Sequence, residues 1–156
     1  MSATQQFDEE NWPELTAFRD ACLANDHDKM LQIASRNHHW YENENPHDLP
    51  MAELASIFQA QWYALTGDLD SLKRIVEAHP WTVNRPWTAQ GWLPIAQAAS
   101  THGVREVIDY LLDNGADPTL SVGSSDDRAT ILEMARSGNN HELADLLEQI
   151  INERGV

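Results

Sequence analysis

The sequence predicts an all-α chain of stacked helix–turn–helix units. Apolar residues recur at helical spacing, glycines fall at a near-constant interval, and Ala- and Leu-rich segments flank those glycines in the same order. From Gly67 to Gly103 is 36 residues, and from Gly103 to Gly138 is 35. Each glycine stands between two short helices, where a reversing chain needs a left-handed backbone residue that Gly, or less readily Asn, supplies.

At the N-terminus, Cys22 to Asp26 followed by Asp28, Met30 and Ile33 lines up with Ala64 to Asp68, Asp70, Leu72 and Ile75, with Asn25 in the place of Gly67. The step from Asp28 to Asp70 is 42 residues. The surplus falls in residues 36–50, rich in Asn, His, Pro and Trp, which read as a loop containing Trp40 and Tyr41. Residues 51–66 form a long first helix. Leu69, Leu72, Ile75 and Val76 give the next helix its apolar face. In the following unit Pro94 suits a first helical turn, Ala96, Ala98 and Ala99 allow close approach of neighbouring helices, and Gly115-Ala116-Asp117-Pro118 stops the outer helix. The last unit runs from Thr130 through Ala135 and Gly138 to Leu143 and Leu147. Three clear units with a degenerate N-terminal capping unit thus form one domain over residues 1–156. Residues 1–50 are its atypical N-terminal unit and loop, and residues 51–150 its repeats.

These segments resemble the ankyrin repeat, whose marker is a Thr-Pro-Leu-His-x-Ala run at the first helix. That run appears as Leu93-Pro94-Ile95-Ala96-Gln97-Ala98 and as Thr130-Ile131-Leu132-Glu133-Met134-Ala135, both without the His. Gly115-Ala116-Asp117 and Val83-Asn84 are similar to the family's unit endings. The resemblance covers about residues 57–150 and implies an ankyrin-like solenoid that binds a protein and has no common catalytic site.

Composition is that of a folded chain, 42% hydrophobic and 22% charged. With 25 acidic against 10 basic side chains the net charge is -15. That balance speaks against nucleic acid or an anionic membrane as partner and favours a basic protein. The acids are spread along the chain, 11 of them in residues 1–56 and 14 in residues 57–156. A single cysteine, no leader-like N-terminus and no long apolar stretch point to a cytoplasmic chain.

No catalytic, cofactor or metal site is expected. His38, His39, His47, His79, His102 and His141 lack zinc-ligand spacing, and there is no cysteine pair. Cys22 lies on an apolar helix face and reads as packing. Gly123-Ser124-Ser125 lacks the Gly-Lys-Ser/Thr ending of a phosphate loop. Trp81, Trp87 and Trp92 crowd 12 residues, and large aromatics on loops either anchor interfaces or fold back over the stack. Trp62, at helical spacing, reads as core.

The connecting fingers and first helices of a solenoid form its usual binding face. They point to Arg85, Trp87, Gln90, Trp92, Gln97, Thr101, Asp126 and Asp127 as partner-binding residues. The leading expectation is a non-enzymatic protein-binding module, most specifically an inhibitor or immunity protein that neutralises a basic partner such as a toxin. The alternatives are a general scaffold or regulator, a ligand carrier or enzyme with a pocket between the N-terminal unit and the stack, and a self-associating chain. The oligomeric state is left open.

Overall fold

The computed structural model describes residues 12–87, 91–101, 105–123, 128–137 and 141–154. The regular elements among these are helical. They are α1 (Trp12–Leu23), α2 (His27–Arg36), α3 (His38–Glu44), α4 (Met51–Thr66), α5 (Leu69–Ala78), a 3₁₀ turn (Pro80–Asn84), α6 (Pro94–Thr101), α7 (Arg105–Asp113), α8 (Ile131–Ser137) and α9 (His141–Arg154). None of the described helices is long and apolar enough to cross a membrane. Two isolated antiparallel bridges, Trp87 with Trp92 and Val122 with Ala129, close the connections after the 3₁₀ turn and after α7. They start 35 positions apart, close to the glycine steps of 36 and 35.

Helices pack in consecutive pairs, α1 on α2, α4 on α5, α6 on α7 and α8 on α9. The first helices of the pairs also stand side by side in the order α1, α4, α6, α8. The pairing follows from the turns. At Gly67 (φ 73°) the backbone turns left-handed, Asp68 N–H reaches back to the Tyr63 carbonyl at 3.0 Å, and the Asp68 side chain accepts from Ser71 N–H to start α5. The N-terminal pair builds the same turn with Asn25 (φ 56°): Asp26 N–H bonds the Ala21 carbonyl at 2.9 Å and the Asp26 side chain caps Lys29 N–H. An Asn pays more than Gly for that conformation, and here it is held from outside, since Gln59 Nε2 donates to Asn25 Oδ1 and to the Cys22 carbonyl, both at 2.8 Å. The expected turn glycines Gly103 and Gly138 lie outside the described residues.

Unit ends are tied across the stack. Asn84 Nδ2 donates to the Gly115 carbonyl at 2.6 Å and Asn84 Oδ1 accepts from Asp117 N–H at 3.1 Å, so one side chain replaces solvent for two backbone groups of the next unit. Thr130 and Glu133 form a reciprocal capping box at the start of α8: Thr130 N–H donates to Glu133 Oε1 and Glu133 N–H to Thr130 Oγ1, at 3.0 and 3.2 Å. Thr130, through its backbone N–H first and then its hydroxyl, holds the Glu133 carboxyl below its ordinary pKa.

The structure corrects the reading of residues 36–50 as a loop. They contain α3, and Trp40 is completely buried, edge-on to Phe18 with ring centroids 5.7 Å apart. Past α3, buried Asn45 organises the turn. It donates to Tyr41 Oη and the Leu49 carbonyl and accepts from Leu49 N–H, all within 3.0 Å.

Among the described residues most buried apolar side chains fall into two clusters. One joins α1 to α3 with the start of α4, through Phe18, Cys22, Met30, Ile33, Trp40 and Leu54. The other runs from Ala60 through the remaining pairs to Ile150 and is rich in small residues, including Ala96, Ala98 and Ala99. Helix α4 belongs to both, with Leu54 and Ala55 in the first and Ala60 and Ala64 in the second.

Candidate functional site

A cavity of about 330 Å³ opens where the two clusters meet. Helix α1 contributes Leu15, Thr16, Phe18 and Arg19, α3 contributes Trp40, and α4 contributes Phe58, Gln61, Trp62 and Leu65. Trp87 from the first bridged connection and Gln97 from α6 complete it. The spacing on α4 explains its share, because Phe58, Gln61, Trp62 and Leu65 follow i, i+3, i+4, i+7 and form one stripe. Phe58 and Trp62 stack with ring planes 12° apart, and Trp87 stands perpendicular to Phe58 at 5.4 Å. Where alanines let the stacked helices close on one another, this seam between bulky rings contains a hollow.

Polar atoms in this wall are few and distinctive. The Arg19 guanidinium lies over the Trp62 ring, 4.9 Å from its centroid. Its Nε is buried and 3.5 Å from Asp20 Oδ1, too long for a good hydrogen bond. Gln61, 2% exposed, donates through Nε2 to the Trp92 carbonyl at 2.9 Å, while its Oε1 meets no partner among the described residues. The buried indole N–H of Trp40 is likewise unmatched among them. Leaving such a group unpaired in the interior costs about 1–3 kcal/mol.

Of the residues expected to bind a partner, Trp87 and Gln97 come together on this cavity and Trp92 is coupled to it through Gln61. Trp87 and Trp92 are each half-buried and pair with one another, Trp92 packing against the larger core. Arg85 is elsewhere, in an ion pair with Glu53 at 2.6 Å beside a second, more polar depression that includes His79 and Trp81. Thr101 is the last residue of α6. Gln90, Asp126 and Asp127 lie outside the described residues. Trp62, read as core, is half-buried and forms cavity wall instead. Among the described residues the exposed large apolar side chains are Leu31, Trp81 and Leu120.

Sequence reasoning passed over Phe18, Arg19, Phe58 and Gln61. The stripe on α4 was available as a signal, but helical spacing of aromatics reads equally as core, and nothing in the sequence shows that α1 lies opposite it. Among the described residues no group of three or more His, Cys, Asp or Glu side chains is placed to hold a metal.

No protein-family model matches the chain. A stretch of 57 residues, 36% of the chain, is 40% identical to the rat (Rattus norvegicus) protein named ankyrin repeat and SAM domain-containing protein 6. The chain spans about 6% of the length of that curated relative. The likeness is therefore to a segment of an ankyrin-repeat protein, in agreement with an all-helical chain.

Proposed function

We propose that the chain is an ankyrin-type repeat module, one domain over residues 1–156, that works by binding another protein. The observation that carries this reading is the repetition of a whole unit. A bridged connection recurs after 35 residues and the helix pair that follows it after 36 to 37, with the first helices in one row and Asn84 stitching one unit end to the next. Such an array presents a row of connections and first helices as an extended surface. The 57-residue likeness to an ankyrin-repeat protein supports the same reading. The excess of 15 negative charges suits a basic partner, through faster encounter more than through tighter contact. The narrower reading of an inhibitor or immunity protein rests on size and charge alone; neither the helix arrangement nor the likeness adds to it.

The half-burial of Trp87 and Trp92 changes which residues test this function. Replacing them would disturb the first bridged connection, whereas Trp81 before it and Leu120 before the second are exposed. The experiment is capture of partners from the source cell's lysate, followed by association kinetics with the purified partner at low and physiological salt. Support is a stoichiometric basic protein that binds more slowly when salt is raised or when Asp126 and Asp127 become Asn, and dissociates faster from a Trp81→Ala, Leu120→Ala variant. A captured partner that is acidic overturns the charge argument, and the absence of any protein partner overturns the reading.

A further inference from the structure

We infer that the cavity between the N-terminal pair and the stack is a binding site for a small aromatic monocarboxylate. The site is separate from the protein-binding reading and does not depend on it. Two features of the wall select this chemistry.

Shape and surface select a flat ring. Phe58, Trp62 and Trp87 offer ring faces and edges around about 330 Å³, the low end of the range for small-molecule pockets, and Leu15, Phe18, Trp40 and Leu65 add further apolar wall. Charge selects an anion. In a chain with 25 acids and 10 bases, the eleven residues that line this cavity contain no carboxylate and one cation, Arg19. Its guanidinium is oriented by the Trp62 ring, its side chain is 37% exposed, and its carboxylate contact, Asp20, is long and largely solvated. A planar guanidinium so held is suited to a bidentate carboxylate, and an incoming one would displace little.

Two other depressions among the described residues lack this combination. The one beside Arg85 is polar and its cation is already paired with Glu53 at 2.6 Å; the one beneath α3 is lined by Glu42 and Asp48 and holds no Lys or Arg.

Indole-3-acetate, indole and tryptamine share one ring and differ in charge, so titration calorimetry with these three probes separates the contribution of charge from that of the ring. The wild-type chain is expected to bind one indole-3-acetate, at least tenfold more tightly than indole, with tryptamine weakest. Arg19→Gln, at a partly exposed position, is expected to abolish the preference for the acid while leaving indole binding in place. Phe58→Ala is expected to weaken all three, with circular dichroism confirming that the variant is folded. In nitrogen–proton spectra the indole signals of Trp62 and Trp87 should move on titration and that of Trp81 should not. Absence of binding at millimolar probe, a preference for tryptamine, or an acid preference that survives in Arg19→Gln each overturns the assignment. A chain that captures a protein partner yet binds none of the probes loses this site alone, and one that binds indole-3-acetate without a protein partner loses the other reading alone.

Discussion

The N-terminal pair and the three pairs after it use the same turn but fill their interiors differently. Asn25 and Gly67 both end a first helix in the left-handed conformation, followed by an Asp that caps the next helix. Inside, the stack meets along Ala60, Ala64, Ala96, Ala98 and Ala99, all at most 5% exposed, so the helix backbones themselves approach. The N-terminal pair is filled by Phe18, Met30 and Trp40, with α3 inserted where the later connections carry a bridge. Small residues let a helix seam close, whereas the rings of Phe58, Trp62 and Trp87 border a hollow. The cavity is thus a product of joining an aromatic-packed unit to an alanine-packed one along a shared α4.

That contrast is broken most directly by volume changes of opposite sign. Trp40→Ala removes a wholly buried ring system and is expected to cost about 3–5 kcal/mol in chemical denaturation, as large core truncations do. Ala98→Leu adds volume to the wholly buried seam of the stack and is expected to cost about 1–3 kcal/mol from overpacking. If Ala98→Leu proves neutral, the stack is no tighter than the unit that precedes it and the contrast fails.

The same contrast governs what the sequence made legible. Stack elements announce themselves through periodic small and aliphatic residues and through Gly67 and Gly115, whose positive φ of 73° and 95° only glycine adopts cheaply. The long helix over residues 51–66 was readable to its ends for the same reason. Helix α3 was not, because His38 to Glu44 is seven residues of mostly polar side chains with a single buried ring. Its stability comes from Trp40 packing on Phe18 and from Asn45 closing the turn after it, both tertiary facts that periodicity does not carry. The cavity was legible only as a place, between the N-terminal unit and the stack. Its wall required knowing that α1 faces α4.

The shared turn can be separated from its surroundings by comparing Gly67→Ala with Asn25→Ala. Alanine at Gly67 is expected to cost about 1–2 kcal/mol, the penalty of an L side chain in a left-handed conformation. At Asn25 the backbone change is smaller, because Asn already carries a Cβ, but the variant strips one of the two acceptors of buried Gln59 and so is expected to cost a further 1 kcal/mol or more, about the value of a buried hydrogen bond. Gln59→Leu should then destabilise the wild-type chain more than an Asn25→Ala chain. Additive losses in that double-mutant cycle would show that the two side chains do not act together.

The smallest effect expected is a pH dependence specific to the N-terminal pair. Glu14 on α1 accepts from Arg36 Nε and Nη2 at 3.0 and 3.1 Å and from Asn37 Nδ2 at 3.3 Å, and these bonds, Arg36 first, lower its pKa below the ordinary 4.5. A depressed carboxyl pKa means the folded chain holds its proton less tightly than the unfolded chain. The stabilisation is therefore full above pH 4.5 and disappears as pH falls through the depressed value. The pair is largely solvated, which keeps the effect modest and sensitive to salt. In a thermal-melt series, Glu14→Gln should melt slightly below the wild type at pH 7, and the gap should close as the pH is lowered past the wild-type Glu14 pKa. A gap that stays constant with pH would mean that Gln loses packing or neutral hydrogen bonds rather than the ion pair. The tie between α1 and the end of α2 would then be steric, and the N-terminal pair would differ from the stack in its packing alone.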